Sequence, residues 1–588
     1  MSMFRRCCLI VAALLANQGH AATCQLLKYG TLPVEMLNGQ PTTMVKINGT
    51  ETRFVLDTGG YFDLMSRANA LALGLRLRAA PMGYRISGVG GFADVQLADV
   101  KEFGILDTTL KNIEFIVGGT DTGYGLLGAN LLDVVDLDVD LAHGKLTLFK
   151  SDHCRKAVLA YWTKGGYNVA EIEPAHNPID RRTFLNVTIN GRKLRALLDS
   201  GAFATVLSRR AAERIGVSLA GHDVKGGTRT FGVGGKLVKT WTVPIDTFSV
   251  GTETIQHSQM QVIDSSLGED GTEMVLGVDF LLAHHLFIAN SQRKVYFTYN
   301  GGRVFTLADA PSGSDKPDAA PSAGSSSAKP MTAPDYALRG DAALSRGESK
   351  IAVADLDQAI RMAPNEAAYY VARARAHAAD KQPDAALADL DRSLRLEPKS
   401  ADALLMRAEF RLVDKDPTGA IADVTAASVL VPAGSAQARL TARLYINLDQ
   451  PAAALPLLDG WIRVHGDDAM LGMMLNERCW ARGLSNQMLD DAARDCHKAI
   501  RRDGKDPDYL GSLGLVQFRQ GHYAESIKTY EQSLVQNPKS AWAHYGLGLS
   551  ELRNGQTKAG RADLAAAHAL DPQVEARATK YGLIASGP

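Results

Sequence analysis

"INGTETRFVLDTGGYFDLMS" occupies residues 47–66, and "INGRKLRALLDSGAFATVLS" occupies residues 189–208. Each runs from an Ile-Asn-Gly turn through an apolar stretch to an aspartate, Asp57 or Asp199, followed by a small hydroxyl residue and a glycine. The apolar stretch reads as a buried strand with the aspartate at its end. Gly59 and Gly201 let the backbone turn tightly and approach a twin loop. Thr58 and Ser200 can hydrogen-bond across that approach. A carboxylate exposed once in this way is a surface turn; two of them suggest chemistry that needs a pair.

The duplication reaches well beyond these stretches. Val45 to Leu75 matches Val187 to Val217 at a constant offset of 142 residues. "ISGVGGF" at 86–92 matches "TFGVGGK" at 230–236, and "YGLLGANLLDVVDLDVDLAHGKLTLF" at 124–149 matches "EMVLGVDFLLAHHLFIANSQRKVYFT" at 273–298. Alternating apolar residues and Gly-rich turns make each copy a small, mostly β unit. Leu126-Leu127-Gly128 and Val275-Leu276-Gly277 are apolar pairs whose glycine can pack beneath the aspartate turn. The Gly-rich hairpins at Gly88, Gly90 and Gly91 and at Gly232, Gly234 and Gly235 are expected to fold over a cleft as flaps. Tyr84, Phe92, Phe231 and Trp241 are candidates to line it, or plain hairpin packing. The acidic run Asp133 to Leu141 is expected to alternate outward along a strand rather than to bind calcium.

Bulk properties bound the rest. The 588 residues exceed one core, so a modular protein is expected. Its 64 basic and 64 acidic residues cancel; with no basic excess, nucleic acid is not an expected partner. The basic start, short apolar run and small residues of 1–22 read as a cleaved signal peptide, too short to span a bilayer, which predicts a periplasmic or secreted protein without a transmembrane helix in the mature chain. Four cysteines then remain, Cys24, Cys154, Cys479 and Cys496. Three pairings are open to them, the simplest being local: Cys24 with Cys154, and Cys479 with Cys496. No Cys/His cluster has zinc-ligand spacing, "HH" at His284 and His285 included, and no cofactor is implied. Serine- and metallo-hydrolase motifs are absent.

A Pro/Ser/Ala/Gly-rich stretch, 309–334, reads as a flexible linker. Beyond it the pattern turns helical and repeats. Prolines close successive units at Pro364, Pro398 and Pro432, then at Pro538 and Pro572, and small residues recur at Gly340, Ala374, Ala408, Ala442, Gly514 and Gly548 and at Ala359, Ser393, Ala427, Ala499, Ser533 and Ala567. Helices cross closely only where side chains are small, so these positions mark antiparallel helix pairs. A short insertion at "HGDDAM" precedes the fifth unit. The segment resembles tetratricopeptide repeats, about seven with a C-terminal capping helix, over 335–588.

The N-terminal duplication resembles retropepsin-like aspartyl proteases of clan AA over about residues 30 to 300, since Asp-Thr/Ser-Gly with a downstream apolar-apolar-Gly occurs twice in register. The resemblance implies two tandem lobes, 25–155 and 160–305, arranged as in pepsin but built from retropepsin-sized parts. This chain departs from pepsin in having a flap in each lobe. It carries Gly60 and Ala202 where pepsin-like enzymes place Ser or Thr, and Gly60 departs from both groups. The resemblance implies that Asp57 and Asp199 share one proton and activate a water on a peptide or protein substrate. The repeats would recruit substrate or a protein partner through their groove. The alternative is a non-catalytic, peptide-binding scaffold that keeps the protease fold.

Overall fold

The computed structural model describes residues 23–585, apart from 133, 222–223, 231, 233, 235, 269, 303 and 308–329. The expected signal peptide, most of the expected linker, Phe231 and Gly235 lie outside the described residues.

The two copies fold as barrel-like β lobes. In the first, strands Glu35–Leu37, Gln40–Ile47, Thr50–Leu56, Gly125–Leu127, Leu64–Met65, Thr108–Val117, Gln96–Ile105 and Leu77–Ala79 pair in that order. The sheet closes where Ile47 meets Phe103. The second lobe repeats this plan and closes where Val187 meets Val250. Both quoted stretches end on a serine that caps a short helix: Ser66 accepts from Asn69 N, and Ser208 from Ala211 N. Such caps satisfy first-turn donors and fix where the chain leaves the strand.

The lobes are joined by a sheet to which both contribute, with the order Gln25–Pro33, Lys145–Asp152, Asp136–Asp140, His284–Ala289, Lys294–Tyr299, Asn168–Glu173. The lobes meet where Leu137 pairs with Ile288. The Cys24–Cys154 disulfide ties the outer strand of this sheet to the chain just past its neighbour. Here the acidic run departs from expectation. Asp136 and Asp138 are buried, not outward, because a central strand between two covered faces has no solvent side. Their charge is met by hydrogen bonds instead: Asp136 accepts from Ser291 N and Oγ, and Asp138 pairs with His285 Nε2 at 2.8 Å.

Fourteen helices between Ala333 and Leu570 stack as seven antiparallel pairs, followed by a short helix, Val574–Lys580. The expected small positions sit at the crossings: Ala359, Ala374, Ser393, Ala408, Ala427, Ala442, Ala499 and Ala567 are fully buried. An arginine on the first helix of several pairs bonds an aspartate on the second, as in Arg339–Asp355, Arg373–Asp389, Arg407–Asp423 and Arg478–Asp495. The Cys479–Cys496 disulfide staples the fifth pair.

One expectation about the linker region needs correction. The first helix already starts at Ala333, capped by Thr332, inside the stretch assigned to the linker. The local Thr332/Asp335 capping box outweighs the Pro/Ala composition there. The solenoid is also no loose appendage. Its first helix lies on lobe 1, with Ala342 in the lobes' own core cluster and Lys145 paired with Asp335. Glu35 and Arg53 of lobe 1 act electrostatically on Asp341, whose carboxyl burial pushes up to about 7.

Candidate active site

Each aspartate stands where its strand ends. Asp57 N donates to Leu127 O and Asp199 N to Leu276 O, each at 2.9 Å, so the parallel strands Gly125–Leu127 and Met274–Leu276 set the height of the two loops. Gly128 and Gly277 lie directly beneath the turns. A Cβ on Gly128 would meet the Phe62 carbonyl at 2.6 Å, and one on Gly277 would meet that of Ala204 at 2.5 Å.

The hydroxyl residues brace the loops against each other. Thr58 Oγ1 donates to Leu198 O (3.0 Å) and accepts from Ser200 N (3.0 Å). Ser200 Oγ donates to Leu56 O (2.6 Å) and accepts from Thr58 N (3.1 Å). These four buried bonds are reciprocal, so each loop fixes the other. Gly59 and Gly201 permit the approach, since a Cβ on Gly201 would stand 2.6 Å from the Asp57 carboxylate carbon.

Asp57 is buried and Asp199 half-buried, and their carboxyls are hydrogen-bonded to one another. Burial raises Asp57 well above the usual carboxylate range, and the charge of Asp199 raises it further. Asp199 is also raised, first by burial, but more groups offset the rise: the hydrogen bond from Asp57, the amides Gly201 N (2.7 Å) and Ala202 N (3.2 Å), and the charge of Arg182. Gly60 N donates to Asp57 Oδ1 at 2.8 Å. Both carboxyls are thus held above their ordinary range, the condition under which two neighbouring carboxylates share one proton.

The lobe-1 hairpin expected to act as a flap, Arg85–Gly88 with Gly91–Asp94, reaches the other lobe. Gly90 bridges Gly234, Lys236 N donates to Gly90 O, and Ser265 Oγ donates to Val89 O at 2.7 Å. Val89 packs in a cluster with Ala202 and Val206, next to the Asp199 loop. Gly232 lies against Val89. Of the aromatic candidates, Tyr84 and Phe92 are exposed and Trp241 half-buried.

Some residues at the site were not singled out from sequence. In lobe 1, Asp63 accepts from Gly128 N (3.0 Å) and Asn130 Nδ2 (2.9 Å), and burial pushes its carboxyl up to about 6. In lobe 2, Thr205 Oγ1 accepts from Gly277 N (3.1 Å) and donates to Asp279 (2.7 Å). The carboxylate has changed sides, but the same strap ties the aspartate loop to the glycine beneath it. The internal alignment held this signal, since Asp63 and Thr205 differ at matched positions. Gln40 Nε2 reaches across the lobes to Gly201 O. Arg182 lies over Tyr61 and Phe184 while bonded to Asp180 and Asp270. Among the described residues no group of side chains could hold a metal ion.

Two homologous β lobes with paired, cross-braced Asp-Thr/Ser-Gly loops form an aspartic protease-like fold. Residues 43–131 and 185–280 match the family model described as Aspartyl protease, and residues 338–392, 381–435 and 514–555 match models for tetratricopeptide repeats. Both lobes of the N-terminal region thus match the aspartyl protease family model, and the C-terminal region is a tetratricopeptide solenoid. The chain is also similar to the cellulose synthase 2 operon protein C of Komagataeibacter xylinus, at 33% identity over 116 residues, which cover 17% of this chain and 9% of that protein. A cellulose synthase operon protein C of the same organism is 29% identical over 115 residues, again 17% and 9%. The matches thus span less than a tenth of these relatives. Among solved structures, a tetratricopeptide repeat protein from Parabacteroides merdae is similar at 16% identity and a TM-score of 0.32, covering 43% of this chain and 98% of that one.

Proposed function

We propose that this chain is an exported aspartic endopeptidase whose dyad, Asp57 with Asp199, lies within one polypeptide. The observation that carries the reading is the mutual placement of the two carboxyls, hydrogen-bonded to each other and locked by the buried Thr58–Ser200 brace. Two adjacent carboxylates cannot both ionise cheaply, so they share a proton. Asp199, with more donors on its ionised form, takes a proton from a water as that water attacks the peptide carbonyl carbon. Asp57 gives its proton to the carbonyl oxygen. Collapse of the tetrahedral species breaks the C–N bond: the amine leaves with the proton held by Asp199, and one hydroxyl on the former carbonyl carbon returns its proton to Asp57 as the C=O of the acid forms, which restores the shared proton.

Two disulfides support an oxidising compartment, periplasmic or extracellular. No helix among the described residues is long and apolar enough to cross a membrane. The solenoid recruits a protein partner or substrate. Between its C-terminal pairs, Trp480, Phe518, Trp542 and Leu549 line a cavity of about 270 Å³. Cleavage of a denatured protein, abolished by Asp57→Asn and by Asp199→Asn, tests the reading. Peptide binding without turnover at any pH would leave the scaffold alternative.

A further inference from the structure

The insertion at His465–Met470 interrupts the 34-residue spacing of the helix pairs, and two of its side chains, His465 and Asp468, reach lobe 1. His465 stacks on Trp461 with ring centroids 4.0 Å apart and bonds the Trp461 carbonyl through Nδ1. Its Nε2 lies 2.9 Å from Asp121 Oδ2 of lobe 1, and both side chains are almost wholly buried, at 2% and 1% exposure. Asp468 Oδ2 accepts from Asp121 N at 2.7 Å, and Ala469 N donates to Thr120 Oγ1. The neighbouring Gly123 lies against Ala436 of the fourth pair. A lobe-1 loop is thus held from both sides by the solenoid.

The same loop holds the other lobe. Thr120 Oγ1 donates to Gly234 O at 2.8 Å, and Gly234 is the residue that bridges flap tip Gly90. A continuous path of hydrogen bonds therefore runs from His465 and Asp468 through Asp121 and Thr120 to the meeting point of the flaps. The path has two separable links, one between solenoid and loop and one between loop and Gly234.

We propose that the insertion is a positioning element of the active site: His465 and Asp468 hold the Thr120–Asp121 loop so that Thr120 fixes the Gly90–Gly234 contact beside the dyad. The solenoid then sets how firmly the flaps stay closed on a bound peptide, besides any partner it recruits. The consequence for turnover rests on the endopeptidase reading; the effect on flap order does not.

The test uses the full chain and three variants. Thr120→Val keeps the shape of the side chain and removes the link to Gly234 together with the longer contact, 3.4 Å, from Ala469 N, while leaving the bonds of His465 and Asp468 to Asp121 in place. His465→Ala removes the link to the loop, and His465→Gln retains one N–H for Asp121. Amide hydrogen exchange of the hairpin 85–94 is measured beside KM and kcat on an unstructured peptide. The expected result for Thr120→Val is exchange faster by about fivefold, the factor a hydrogen bond of ordinary net worth carries, with KM raised to a similar degree and kcat little changed. His465→Ala is expected to do the same or more, and His465→Gln to restore part of it. Unchanged hairpin exchange in Thr120→Val and in folded His465→Ala would overturn the proposal, as would a fall in thermal stability without the KM split. If the wild-type chain cleaves nothing, the endopeptidase reading fails while hairpin exchange still decides this proposal.

Discussion

A Cβ on Gly59 would stand 2.2 Å from the carboxylate carbon of Asp199, the aspartate of the opposite lobe. Each aspartate therefore lies over the other loop's glycine, and the dyad exists only while both lobes are in place. Because both lobes belong to one chain and share a sheet, specific activity is expected to be independent of enzyme concentration across a wide dilution series. A loss that tracks dissociation of a dimer would count against this.

The pH dependence follows from the direction of the shifts. Burial and mutual charge place Asp57 well above the usual carboxylate range, and Asp199 is also raised. The window in which the pair carries one proton moves upward with them, so the rate profile is expected to be a bell displaced to higher pH than ordinary carboxylates would give. Neither Gly60 nor Ala202 can donate a side-chain hydrogen bond to an ionised carboxylate. Ala202→Thr adds such a donor beside Asp199, and its bell is expected at lower pH.

The same shifts cost stability. A carboxyl whose folded pKa is raised binds its proton more tightly when folded, so the cost is absent below the unfolded value of about 3.9 and grows as pH rises through the folded one. Asp57→Asn removes a buried ionisable group. Its melting temperature is expected above wild type at pH 7 and close to it at pH 3, with turnover lost at both. Calorimetry at the two pH values checks the sign.

Gly60 has a reason in the geometry: a Cβ there would lie 2.7 Å from Asp57 Oδ2. Gly60→Ala is expected to push the carboxyl out of register. A displacement of that order lowers kcat by about 100-fold while leaving the fold intact by circular dichroism.

Removing the Cys479–Cys496 bond, which closes a loop of 17 residues, should destabilise the solenoid by about 3 kcal/mol on the chain-entropy view. Denaturant unfolding of the double serine variant measures it. Because the first solenoid helix shares the lobes' core through Ala342, cutting an engineered protease site in the 309–329 stretch should leave the two pieces co-eluting on gel filtration. Separation into independent fragments would overturn the docked arrangement.

The dyad, its brace and the glycine beneath each turn were legible because the chain states them twice, at a fixed offset. The helix pairs were legible because close packing restricts side-chain size at a constant spacing. The burial of Asp136 and Asp138 was not. Alternation along a strand reports one face against the other, and it is silent about whether a second lobe covers the outer face. The docking of Asp121 against His465 was equally hidden. It joins residues 344 apart through two side chains of ordinary surface type, and only the interruption of the repeat marked the place.

That separation also has a meaning in time. A chain that folds as it is made completes both aspartate loops by about residue 280, yet His465 and Asp468 arrive almost two hundred residues later. Contacts of such long range form last. On the positioning role proposed for the insertion, the cleft stays loosely covered until most of the solenoid has been built, so the nascent polypeptide's own unfolded segments pass an enzyme that is not yet fully assembled.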